Sequence, residues 1–125
     1  MTQPTPLLST LETYLKLTNT RAQAISSNMA NVDTPGYRTR DINFESELRR
    51  ATAMAPMETA DNTGTVHFAP VVREVPGLLE RPDGNNVNLD REGLLLAESQ
   101  LQYQLGVQLN KGQFHQILSA INGGN

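Results

Sequence analysis

The sequence predicts a mainly α protein. Long N- and C-terminal helices pack as a coiled-coil-like pair, and a short helix, a flexible loop and a small β-hairpin-like stretch lie between them. Three observations carry this. Leu8, Leu11, Leu15, Thr18, Ala22, Ile25 and Met29 follow one another at alternating steps of three and four, an a/d seam over three heptads. A second helical pattern runs from about Asn88 to the end of the chain. Between the two, Pro, Gly and Asn interrupt every periodicity. The 125 residues are read as one domain, with an N-terminal helix over 1–31, a middle over 32–87 and a C-terminal helix over 88–122.

The first helix has two possible starts. Ser9 and Glu12 have capping-box spacing, while Pro6 suits the first position of a helix that begins at Thr5. Over residues 7–30 it would be roughly 35 Å long at 1.5 Å per residue. Leu7, Tyr14 and Leu17 widen the apolar surface beside the seam, which the helix cannot bury alone. Asn31 is a natural stop, because Asn tolerates the left-handed conformation of many C-terminal caps. Thr34-Pro35-Gly36-Tyr37 then reads as a type II turn: proline presets the first central φ and glycine takes the positive φ of the second. A helix ends, the chain turns sharply, and an extended segment leaves.

Phe44 to Ala55 forms the short helix, with Asn43 as its cap and Leu48 and Ala51 inward. Met54 to Thr65 reads as a flexible loop. Val66–Ala69 and Val71–Val75 are β candidates, limited by Pro70 and Pro76 to edge strands or a bent hairpin. Glu80 to Asn86 is a turn-rich connector. The C-terminal helix begins near Asn88, with Asp90 and Glu92 favouring its positive end. Leu94, Ala97, Leu101, Leu105 and Leu109 form one stripe, and Leu95, Leu96 and Val107 lie off it. A helix apolar on several sides is buried on several sides, and one partner helix cannot supply that. Neighbouring subunits are therefore expected at Leu8, Leu11, Leu15, Ala22, Ile25, Leu94, Leu101, Leu105, Phe114 and Ile117. Gly106 and Gly112 weaken the helix by about 1 kcal/mol each relative to alanine.

Composition excludes several classes. A net charge of −3 and a pI near 5.3 argue against nucleic acid or an anionic membrane as main partner. With 5% aromatics and no Trp, the chain suits packed aliphatic helices better than a dense globule. Cysteine is absent, which removes thiolate chemistry. No apolar run reaches the length of a membrane span, so no direct membrane insertion is expected. Met1–Pro6 lacks the pattern of a signal peptide, so composition alone reads as cytoplasmic.

Chemistry-bearing constellations are equally sparse. His67 and His115 are the only histidines and have no carboxylates at ligand spacing, so neither a metal nor any other cofactor is expected. Asp33 with Asp41, or Asp61 with Asp83, could be posed as acid–base pairs, but each lies in a turn where Asp serves local hydrogen bonding. Gly36 and Gly84 sit in no phosphate-loop motif and read as turn glycines. Arg38, Arg40, Arg49 and Arg50 form a small basic cluster, either a solvated face or a salt-bridge donor to a neighbouring subunit. The expected protein is not an enzyme.

The motif Asn28-x-x-Asn31-x-x-Thr34-Pro35-Gly36-Tyr37, following an amphipathic helix, resembles the flagellar rod and hook protein family of bacteria. Arg40-Asp41-Ile42-Asn43-Phe44 is similar to the smallest branch of that family, the one at the proximal rod. A second block, Asp83-Gly84-Asn85-Asn86-Val87-Asn88-Leu89-Asp90-Arg91-Glu92 followed by Gln102-Tyr103-Gln104, resembles the end of the same branch. The resemblance spans nearly the whole chain. It implies a structural subunit of the flagellar basal body that polymerises through its terminal helices, transmits torque and is needed for motility. It implies as partners further copies of itself, other rod proteins, and the base formed by the membrane ring and export gate. It implies export without a cleaved signal peptide, through the flagellar type III channel, to a rod that spans the periplasm. In this reading the turn at Asn28–Tyr37 sends the chain from the inner helical layer to the outer part of the rod. Another rod subunit is the nearest alternative. A soluble helical adaptor that binds a partner helix in its groove would explain the seam but not the turn.

Overall fold

The computed structural model describes residues 6–54 and 69–123. In chain order the elements are α1 (Pro6–Ala30), β1 (Arg40–Asp41), α2 (Phe44–Met54), β2 (Arg73–Glu74) and α3 (Leu89–Gly123). The long terminal helices are the frame. They run antiparallel: Asn28 meets Glu92 near one end, and Gly106 lies against Tyr14 and Leu15 nearer the other.

The seam of α1 faces inward. Leu11 and Ile25 are buried, Leu8, Leu15, Ala22 and Met29 are half-buried, and Leu17 beside the seam is wholly buried. Thr18, the polar break in the seam, is buried without penalty because its hydroxyl donates to the Leu15 carbonyl at 2.8 Å. The α3 face that meets them is small and polar, with Glu92, Ser99 and Gly106 buried. Gly106 sets the helix spacing. A Cβ there would lie 2.8 Å from Leu15 Cδ2 and 3.0 Å from the Tyr14 ring, so a side chain at this position would require Leu15 and Tyr14 to shift.

Two further contacts fix the middle against α1. Tyr14 meets Phe44 of α2 edge to face, with ring centroids 5.3 Å apart and planes at 85°. This burial raises the pKa of the Tyr14 hydroxyl above its usual value. Arg21 of α1 pairs with Asp41 of β1 at 3.3 Å. Asn43 caps α2 as expected: its Oδ1 accepts from Ser46 N at 3.2 Å, and Ala51 is buried.

One local expectation is corrected. Among the described residues, all non-glycine residues have negative φ, so Asn31 does not end α1 in the left-handed conformation. It stops the helix with its side chain instead, donating from Nδ2 to the Ser27 carbonyl at 2.8 Å and accepting the Thr34 hydroxyl on Oδ1 at 3.0 Å. The β segment takes the edge-strand form of its two expected alternatives. Strand β2 pairs antiparallel with β1, Arg40 opposite Glu74 and Asp41 opposite Arg73. Pro70 and Pro76 bracket β2, and the extended segment leaving the turn supplies its partner. Val66, His67 and Phe68 lie outside the described residues, as do Asp61 and the loop from 55 to 65.

Candidate functional site

Tyr37 N donates to the Thr34 carbonyl at 3.2 Å, and Gly36 has φ 76°, which closes the turn as the Pro-Gly pair requires. Asn28 holds this turn from the last helical coil. Its side chain is fully buried and uses all four of its hydrogen-bonding capacities. Nδ2 donates to the Arg40 carbonyl at 2.8 Å and to Glu92 Oε2 at 3.1 Å. Oδ1 accepts the Tyr37 hydroxyl and the Arg40 amide, each at 3.0 Å. One asparagine thus joins α1, the turn, β1 and the start of α3. Glu92, also fully buried, places its other oxygen 2.8 Å from Arg91 Nη1.

The second sequence block packs directly on the first. Gly36 N donates to the Asp83 carbonyl at 2.9 Å. Gly84, at φ 85°, comes so close that a Cβ would stand 3.3 Å from Gly36 Cα. Asn85 is fully buried and donates to the carbonyls of Asn31 and Thr34 at 2.9 and 2.8 Å. Asn86 Oδ1 accepts the Thr39 amide at 2.6 Å. Arg81 reaches the Val32 carbonyl, and Arg38 pairs with Glu80 at 3.3 Å. The segment read from sequence as a connector is therefore half of a polar lock. The consecutive asparagines after Asp83-Gly84 were the available signal, since buried Asn side chains can substitute for missing backbone partners.

Outside the lock, α3 turns its leucines away from α1. Leu94 is 71% and Leu101 66% exposed, and Ala97, Leu105 and Leu109 are exposed beside them. Leu95, Leu96 and Val107, which lie off that stripe, are half-buried. Of the α3 positions expected at an interface, Leu94, Leu101, Leu105 and Phe114 are exposed and Ile117 is half-buried. Of the α1 positions, Leu11 and Ile25 are buried within the chain and Leu8, Leu15 and Ala22 are half-buried. Three arginines of the basic cluster, Arg38, Arg49 and Arg50, are engaged internally: Arg49 reaches Glu45, and Arg50 pairs with Glu47 at 2.7 Å. Asp41 is committed to Arg21, Asp83 accepts from Asn85 N, and His115 is exposed. Among the described residues, His, Cys, Asp and Glu form no group of three or more that could hold a metal ion.

A short family model described as flagella basal body rod protein matches residues 9–38, most of α1 with the turn. Over nearly the full length, the chain is 33% identical to the flagellar basal body rod protein FlgB of Salmonella typhimurium, covering 89% of each chain. The chain belongs to the flagellar basal body rod protein family. The FlgB of Escherichia coli gives the same identity and coverage. That of Cereibacter sphaeroides is 36% identical over 87% of this chain and 88% of its own. Both sequence blocks of the lock fall in a match of this length. The family is a structural one, and this member carries a braced turn and an exposed apolar helix face.

Proposed function

We propose that this chain is a structural subunit of the proximal rod in the bacterial flagellar basal body, built as a single domain and exported without a cleaved signal peptide. It polymerises with copies of itself and with other rod proteins, seats on the membrane-ring and export-gate base, and transmits torque for motility. The observation that carries the reading is the outward stripe of α3. A monomer rarely leaves such a row of leucines in water, and a long apolar face of this kind marks an interaction surface. Burying it gains about 25 cal/mol per Å² of apolar surface. Leu94, Leu101 and Leu105 are the contact residues, while Leu11, Leu17 and Ile25 hold the chain's own hairpin together. The lock at Asn28 supports the same reading, because a subunit that carries torque needs a stiff joint between its inner helices and the segments outside them.

The test is a cell whose only copy carries Leu101→Asp, with export checked in parallel. Loss of rods and swimming with normal export is the expected result. Normal rods and swimming would overturn the rod assignment and turn attention to a helical adaptor.

A further inference from the structure

α3 outruns the helix it lies on. Gly106 sits beside Tyr14 and Leu15; α1 continues eight residues before Tyr14, whereas α3 continues seventeen past Gly106. The last turns of α3 therefore extend roughly 13 Å beyond Pro6 at 1.5 Å per residue. The helix face changes character at that point. Steps of seven and four from Ser99 place Gly106, Asn110, Ile117 and Ile121 on one face. Beside α1 this face is small and polar; past α1 it is apolar, flanked by Phe114 and Leu118. Ile121 is 67% exposed, and Phe114 and Leu118 are exposed with it.

The opposite end of the molecule carries a hollow. An open cavity of about 540 Å³ lies below the turn, with Val32, Leu78, Leu79, Val87 and Leu89 supplying its apolar wall and Arg81 as its one charged lining residue. Leu79 is 95% exposed at its lip. We infer that the overhanging end of α3 in one copy seats in this cavity of a second copy, its last carbonyls facing Arg81. The inference rests on the rod-subunit reading and gives that assembly an end-to-end contact.

Charge and geometry select this occupant. The C-terminal end of a helix carries roughly half a negative charge on its last carbonyls, and α3 has no basic residue in its last turn to offset it. Arg81 supplies the missing cation from outside. The cavity and the overhang stand at opposite ends of one 35-residue helix, so the end of α3 cannot reach the cavity of its own chain. A contact between two different patches of the same molecule is heterologous. It leaves one free end of each kind at every step, and so it extends into a filament where a symmetric contact would stop at a dimer.

The chain has no native cysteine, so a cross-link tests the contact directly. Full-length Leu79→Cys protein and a size-tagged Ile121→Cys protein are mixed, oxidised and run without reductant. The expected result is a mixed dimer of the two variants in several-fold excess over either same-variant dimer. Adding Arg81→Glu to the Leu79→Cys protein should cut the mixed dimer several-fold and Arg81→Lys should retain it, with circular dichroism checking that the helices persist. Mixed and same-variant dimers in statistical proportion, or a mixed dimer indifferent to Arg81→Glu, overturn the seat. The rod reading is tested separately by Leu101→Asp, which touches neither patch. Loss of rods in that strain, together with no excess of the mixed dimer, would leave the rod reading standing and remove the end-to-end contact.

Discussion

Asn28 and Glu92 stand 64 residues apart in sequence and 3.1 Å apart in space, both fully buried. Asn28 is the hinge pin of the turn, and Glu92 is the point where α3 grips it. Replacing Asn28 with Ala would leave Glu92, the Arg40 amide and the Tyr37 hydroxyl each short of a partner. An unsatisfied buried group costs about 1–3 kcal/mol, so Asn28→Ala should destabilise the chain by at least about 3 kcal/mol in urea unfolding. Glu92→Gln keeps an acceptor for Asn28 and should cost far less. Equal losses from the two variants would show that the charge of Glu92, and not its hydrogen bond, matters to the lock.

Gly84 and Gly77 give a paired test of the turn contacts. Both have positive φ, at 85° and 79°, where any side chain is strained by about 1 kcal/mol. Around Gly77 the space for a Cβ is open, whereas at Gly84 a Cβ would press on Gly36 Cα at 3.3 Å, a backbone atom that cannot swing aside. Gly84→Ala should therefore lower the melting temperature clearly more than Gly77→Ala. Indistinguishable melting curves would mean that the two glycine loops do not touch in solution.

Two of the α3 glycines, Gly112 and Gly106, should respond with opposite signs. Gly112 has nothing within 4 Å of a built Cβ, and Gly112→Ala should stabilise the isolated chain by up to about 1 kcal/mol through helix propensity. Gly106→Ala gains the same propensity but forces a methyl against Leu15 and the Tyr14 ring. That ring is also held edge to face by Phe44, so it has little room to yield. Net destabilisation of about 1 kcal/mol is expected, read by thermal melting of the two variants beside the parent.

Most of the frame was legible in the sequence because it rests on periodicity and local chemistry. The heptad seam of α1, the Pro35-Gly36 turn and the Asn43 cap are each set by residues within one or two turns of each other. Asn31 stopped the helix as read, but by side-chain hydrogen bonds, since αL is only one of the ways an Asn can end a helix. The lock was not legible. Nothing near Glu92 in sequence marks it as the partner of Asn28, and a carboxylate in a first helical turn already has a sufficient local reason to be there. Strand β2 was placed but not its partner, because two residues between prolines carry no register. The outward leucine stripe was visible in sequence as a stripe. Only the packing of Ser99 and Gly106 on α1 shows which way it points.

That direction separates folding from assembly in one experiment. Leu101 is 66% exposed and Leu17 is wholly buried. Leu17→Ala opens a cavity in the α1 core and should cost about 2–5 kcal/mol of stability, reducing function by unfolding the subunit. Leu101→Asp alters a mostly exposed side chain and should leave the stability of the isolated chain within about 0.5 kcal/mol of the parent. If rods nevertheless fail in Leu101→Asp cells that make and export the protein, the defect lies at a surface between molecules. A large loss of monomer stability in Leu101→Asp would instead place that leucine inside the fold and remove the outward stripe as the assembly face.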